Sequence, residues 1–155
     1  MEEYGMAMIK TCWKKVNEDD EKNNYSSITP SGFLQKQYNI IPGKYLYHRC
    51  HLIGWNIGGI DVDERNLMTG TRDFNIKGMK KFEDKIYNYL KQNQKNHVLY
   101  RVTPYFESNN KLASGVNIEA YSIEDNGTLH FNVYVYNVQD GIVIDYTTGK
   151  SKLAE

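Results

Sequence analysis

YHRCHLIGWNIGG, residues 47–59, sets two histidines, an arginine and a cysteine in four consecutive positions and then runs into apolar residues and glycines. If the chain is extended here, its side chains alternate between two faces. Tyr45, Tyr47, Arg49, His51 and Ile53 then share one side, and Leu46, His48, Cys50 and Leu52 the other. The second set is mostly apolar and reads as a core face, with His48 and Cys50 as packing residues. The first set presents Arg49 and His51 together. A guanidinium can clamp a phosphate, and an imidazole can activate water. The same alternation argues against a zinc site: it aims Cys50 and His51 apart, and paired ligand spacings are missing.

Working outward, the residues on either side set the context. Gly58-Gly59 predicts a turn, and residues 61–66 a polar loop. Residues 79–92 predict the main helix, with Met79, Phe82, Ile86 and Leu90 on one face and Gly78 marking a break or bend before it. Beyond it, residues 98–106, 116–123, 129–136 and 142–146 read as antiparallel strands separated by the turn formers Asn109-Asn110, Asp125-Asn126-Gly127 and Asp140-Gly141. Upstream, Gly5, Ile9, Cys12, Trp13 and Val16 follow a helical rhythm and predict a helix over 3–16, followed by a loop over 17–32. The fold class expected is α+β with a mostly antiparallel sheet.

Composition limits the function classes. The 155 residues suit a single domain, 1–155, and 40% hydrophobic with 25% charged residues is a globular composition. Lys+Arg and Asp+Glu balance at 19 each, so no global field draws the protein onto nucleic acid. A local patch is available in Arg72, Lys77, Lys80 and Lys81, which reads equally as a solvated helix face. No apolar run is long enough to span a membrane. The N-terminus lacks the pattern of a signal peptide, which leaves a cytosolic protein or one whose leader has been removed. Cys12 and Cys50 are too few for a disulfide scaffold. They pair if the protein is secreted, or stand as two buried free thiols.

The segment HRCHLIGW resembles a variant of the Asp-Arg-Gly-His motif of the DNA/RNA non-specific endonucleases, members of the ββα-metal superfamily. The resemblance extends, in order, through ITPSGF (28–33), NLMTGTRDFN (66–75), MKKFE (79–83), HVLYRVTPYFE (97–107), SGVNIEAYS (114–122) and FNVYVYNVQDGIVIDYTTG (131–149). It covers residues 28–149, with 1–27 as the N-terminal helix and loop, and is similar to the bacterial secreted and DNA-entry branch. It implies a ββα-metal (His-Me finger) core on the antiparallel sheet. It implies a Mg2+-dependent hydrolase, Mn2+ substituting, that cuts DNA and RNA to 5′-phosphate products in a secreted or cell-surface setting.

By the same resemblance His51 is the general base, Arg49 touches phosphate, Asn75 is the direct metal ligand and Glu83 binds the metal's waters. Arg72, Lys77 and Lys81 are candidate substrate contacts, with Arg72 preferred over Arg101. Asn75 alone reads as a helix cap, and Glu83 as a partner of Lys80 or Lys81. Eight residues of straight helix span about 12 Å, so Asn75 and Glu83 share a hydrated ion only if the chain bends at Gly78. His48 stands where the motif has Asp, and Cys50 where it has Gly. The family often carries an extra N-terminal strand, which is not read in this sequence. Three rival readings stay open: a non-catalytic nucleic-acid-binding module, a toxin domain with an immunity partner, and a zinc-stabilised structural domain.

Overall fold

The computed structural model describes residues 7–12, 25–59 and 63–155. A four-stranded antiparallel sheet in the order β1-β4-β5-β6 combines β1 (Ala7–Cys12), β4 (His97–Tyr105), β5 (Gly115–Ser122) and β6 (His130–Tyr136). β2 (Tyr47–His51) and β3 (Leu67–Thr71) form an antiparallel pair with Arg49 opposite Thr69. The chain then enters a π-helical turn, Phe74–Met79, that runs on into α1 (Lys80–Gln92). β7 (Ile142–Ile144) and β8 (Ser151–Leu153) close the chain as a second two-stranded pair. The α+β architecture expected from the sequence is therefore present, with a ββα unit against an open sheet.

The helix covers one face of that sheet. Ile86 and Leu90 of α1 meet Val98, Tyr100 and Val102 of β4 and Val116 and Ile118 of β5, all at 1% exposure or less. Alternation along β4 and β5 follows the two-residue period of a sheet with one wet face. A second cluster gathers Tyr38, Ile41, Leu46, Tyr47 and Leu112, flanked by Ile142 and Ile144. β2 connects the two clusters. Leu46 and Tyr47 enter the second, and Cys50, Leu52 and Ile53 the first. The expected single core face of this segment is thus corrected. Tyr47 and Ile53, assigned to the outer side, are buried because apolar layers lie on both sides of the strand.

The N-terminal helix is also corrected. Residues 7–12 form an edge strand against β4, from Ala7 opposite Val102 to Cys12 opposite His97. The apolar rhythm at 9 and 12 fits a helix, but a short isolated helix gains little, whereas the free edge of β4 supplies a complete hydrogen-bond ladder. Thr11 is buried and donates its hydroxyl to the carbonyl of Ile57. This is the N-terminal strand not read in the sequence. Residues 3–6 and 13–16 of the expected helix, 17–24 of the expected loop and 61–62 of the polar loop lie outside the described residues. Cys50 is a buried free thiol, not half of a disulfide.

Gly78 does not break the helix. A Cβ there would lie 2.5 Å from Val135 Cγ1, so glycine is what lets the helical turn approach β6. The chain passes through it in π geometry, with Lys80 N–H donating to the Asn75 carbonyl.

One buried side chain ties these layers together. Asn137, fully buried, accepts from Thr71 N–H at 2.9 Å through Oδ1 and donates through Nδ2 to the carbonyls of Thr69 (3.2 Å) and Ala113 (3.0 Å). Its removal strands three backbone groups in the interior. Asn137→Ala should therefore destabilise the protein by roughly 2–4 kcal/mol in urea unfolding. A loss below about 1 kcal/mol would mean that water replaces the amide.

Candidate active site

β2 carries His48, Arg49 and His51, and the helix that follows β3 carries Asn75 and Glu83; the contact between the two elements runs from His48 to Asn75. Their placement is set by β3. Thr71 Oγ1 donates to the Val138 carbonyl at 2.6 Å and accepts from Phe74 N–H at 3.0 Å, capping the first turn. Gln139 Oε1 accepts from Asp73 N–H at 3.0 Å. Thr71, Asn137 and Gln139 thus fix where the helix starts and how Asn75 is presented.

Asn75 lies inside the π-helical turn, four residues beyond Thr71, whose hydroxyl caps the first turn, so it is not a helix cap. Its side chain is half-buried. Asn75 Nδ2 donates to His48 Nδ1 at 3.2 Å. This corrects the reading of His48 as a packing residue: β2 carries it opposite Gly70, and its ring meets the helix at Asn75. The imidazole's pKa is lowered, by burial first and then by the Arg72 charge, which favours the neutral ring.

Cys50 is accommodated by that same glycine. A Cβ at Gly70 would lie 2.5 Å from Cys50 Sγ and 2.5 Å from Phe74 Cδ1. The volume added on β2 is thereby matched by volume missing on β3. Burial and the nearby Glu83 charge push the Cys50 thiol up, so it remains protonated and inert.

His51 ends β2, opposite Leu67, and is half-buried. The turn that follows it is held by Asn66. The Asn66 side chain accepts from Ile53 N–H at 3.0 Å and donates to the Ile53 carbonyl at 2.9 Å. This turn carries Gly54 against α1, where a Cβ would lie 3.4 Å from Glu83 Oε1. Glu83 does not pair with Lys80 or Lys81. Lys80 binds Asp84 at 2.7 Å, and Lys81 lies over the Phe82 ring. Burial, and then the Asp84 charge, raise the Glu83 carboxyl to about 7. The Tyr100 hydroxyl, also raised by burial and by Glu83, is buried with no hydrogen-bond partner.

The cations divide differently from expectation. Arg49 Nε donates to the Ile28 carbonyl at 2.5 Å, a second nitrogen reaches Ser26 O at 3.5 Å, and the guanidinium lies over the Phe33 ring. Its remaining donors are what it has for a phosphate. Arg72 and Lys77 both engage Asp73, at 3.4 and 3.1 Å, which neutralises part of the basic patch. Arg101 forms a two-point pair with Glu119 at 2.5 and 2.8 Å on the sheet face away from α1.

Among the described residues no three His, Cys, Asp or Glu side chains converge as a metal cage. A cation that suits this site is instead one held by a neutral amide oxygen with its water shell facing a carboxylate, as Mg2+ accepts. Asn75 Oδ1, left over when Nδ2 binds His48, and the half-buried Glu83 carboxyl, which the Lys80 charge offsets only in part, fit that chemistry.

Known proteins are similar to this chain in sequence and fold. A deoxyribonuclease of Streptococcus dysgalactiae subsp. equisimilis is 30% identical over 118 residues, which are 74% of this chain and 34% of that protein. The chain thus spans about a third of that relative's length. The structure of NucA from Streptococcus agalactiae with a magnesium ion bound superposes with a TM-score of 0.81 at 27% identity, over 96% of this chain and 73% of that one. The Sda1 nuclease with a bound zinc ion gives 0.70 at 32% identity, over 78% and 50%. The family profile described as DNA/RNA non-specific endonuclease matches residues 7–124, from the edge strand through the helix to the end of β5, and the chain belongs to that family.

Proposed function

We propose that this chain is a divalent-metal-dependent endonuclease that hydrolyses phosphodiester bonds of DNA and RNA, with Mg2+ as its metal and Mn2+ as a substitute. The observation that carries the reading is the meeting of the HRCH strand with the helix-borne amide: the 3.2 Å contact of His48 with Asn75 puts the motif beside a side chain able to hold a cation. His51 takes the proton of a water that attacks phosphorus in line with the 3′-oxygen. Arg49 offers its remaining donors to the phosphate. Asn75 would hold the metal through Oδ1, and Glu83 would accept hydrogen bonds from its waters. The cation, when bound, would supply positive charge for the phosphate and the leaving oxygen. Arg72, Lys77 and Lys81 add charge along the nucleic-acid path. Nothing in this set addresses a base edge, so sequence preference is low. We extend the proposal, on the resemblance, to a secreted or cell-surface setting.

His51→Ala should lower turnover by ~10²–10⁴-fold with the fold and DNA affinity kept, the usual worth of a general base. Retention of a tenth of wild-type activity would remove His51 from that role.

Glu83 carries a stability signature. Its folded-state pKa is raised from 4.5 to about 7. In that window the native state keeps a proton that the unfolded chain has released, so stability falls as pH rises and levels off above the folded value. The full difference is on the order of 3 kcal/mol. In metal-free protein, unfolding measured from pH 4 to pH 8.5 should show Glu83→Gln gaining on wild type across this window. A pH-independent difference would mean that the carboxylate is solvated and ionised throughout.

Cleaved RNA should carry 5′-phosphate and 3′-hydroxyl ends, because the ribose 2′-hydroxyl takes no part. End-group analysis of a cut oligonucleotide decides this. Cyclic 2′,3′-phosphate formed in the presence of chelator would assign a different reaction. Uncut plasmid under saturating Mg2+, with DNA still bound, would favour the binding-module reading.

A further inference from the structure

We infer that His48 is a positioning residue for the metal site: its Nδ1 fixes the Asn75 amide with Nδ2 turned inward and Oδ1 free for the cation. The inference rests on the proposed role of Asn75 and adds a residue to it.

A carboxamide has an oxygen end that binds a cation and a nitrogen end that cannot. The two are nearly equal in shape, and a half-turn about χ2 exchanges them. A lone Asn in a half-buried position therefore spends part of its time with the wrong end presented. The contact at 3.2 Å removes that freedom. Asn75 Nδ2 has only protons to offer, so His48 Nδ1 accepts and the ring proton sits on Nε2. The opposite pairing, with a protonated Nδ1 donating to Oδ1, would occupy the atom the metal needs. Only one tautomer of His48 is compatible with a competent site.

The surroundings favour that arrangement. β2 places His48 across from Gly70 and within reach of the helical turn that carries Asn75. Helical turn and strand are both anchored on β3, the first through Thr71, with Gln139 beyond it, and the second through the ladder of β2 with β3. The ring and the amide are therefore held in register with each other through that strand. An acceptor at 48, and not a charge, is what the geometry requires. A neutral ring supplies it without reducing the positive charge that the cation presents to phosphate.

The test measures metal binding apart from turnover. Mn2+ affinity would be determined by calorimetry on the full chain for wild type, Asn75→Ala, His48→Leu and His48→Asn, with thermal unfolding as the control for folding. His48→Leu keeps bulk and loses the acceptor. His48→Asn restores a neutral acceptor. The expected results are loss of binding in Asn75→Ala, a ~10–100-fold weaker Kd in His48→Leu, and recovery of most of that loss in His48→Asn. Wild-type Mn2+ affinity in His48→Leu, beside lost binding in Asn75→Ala, would overturn the role of His48 and leave that of Asn75 standing. Undiminished binding in Asn75→Ala would instead overturn the ligand assignment itself, and with it this inference. Nitrogen-15 NMR of the wild-type histidines needs no variant. A His48 ring protonated on Nε2 is expected, and a ring protonated on Nδ1 would overturn the inference.

Discussion

The arrangement depends on a single buried carboxamide. Asn137 spends its side chain on three backbone groups of two segments, β3 and the approach to β5, and its own backbone N–H donates to Ser114 O at 2.9 Å while its carbonyl accepts from Tyr146 at 2.5 Å. Backbone polar groups at a junction of sheet, hairpin and closing strands have no regular ladder to join, and leaving them bare in the interior costs more than an ordinary hydrogen bond returns. One residue that makes five hydrogen bonds at this junction lets β3 end where it does. The helix start, and with it the presentation of Asn75, follows from that ending.

The π-helical turn is the second constraint. A straight α-helix would separate Asn75 and Glu83 along its axis. A π turn has a wider ring and a smaller rise, and such turns often mark functional sites. Here it is stabilised by close packing: Gly78 allows the helix to press against Val135 of β6. Sheet packing, not a break in the helix, therefore shapes the segment between the two residues.

Electrostatically the site is sparse. Most surface cations near it are already engaged, Arg72 and Lys77 by Asp73 and Lys80 by Asp84. Glu83 has been largely taken out of water, the Lys80 charge offsets only part of that, and burial sets its raised pKa. Such a group is unfavourable for the empty fold and suited to a hydrated metal, a familiar trade between stability and function.

The sequence by itself determined most of the strand and helix content after residue 45, though not β3, β8 or the π-helical turn, since the segments it did determine carry strong local signals: alternating apolar residues bounded by Asn, Asp and Gly, and one amphipathic helical face. The motif residues were legible too, because HRCH and the ordered segments downstream are properties of the chain. What the tertiary structure decided were matters of partnership. Residues 7–12 became a strand because β4 had an open edge, which local periodicity does not report. His48 became a neighbour of Asn75 because the helix that follows β3 crosses beside β2 there. Asn66, Asn137 and Gln139 carry no local signal beyond being polar, and they matter only because folding buries them beside bare backbone groups. A hydrogen bond between residues far apart in sequence is fixed by the packing of elements, so it can be read only once those elements are in place.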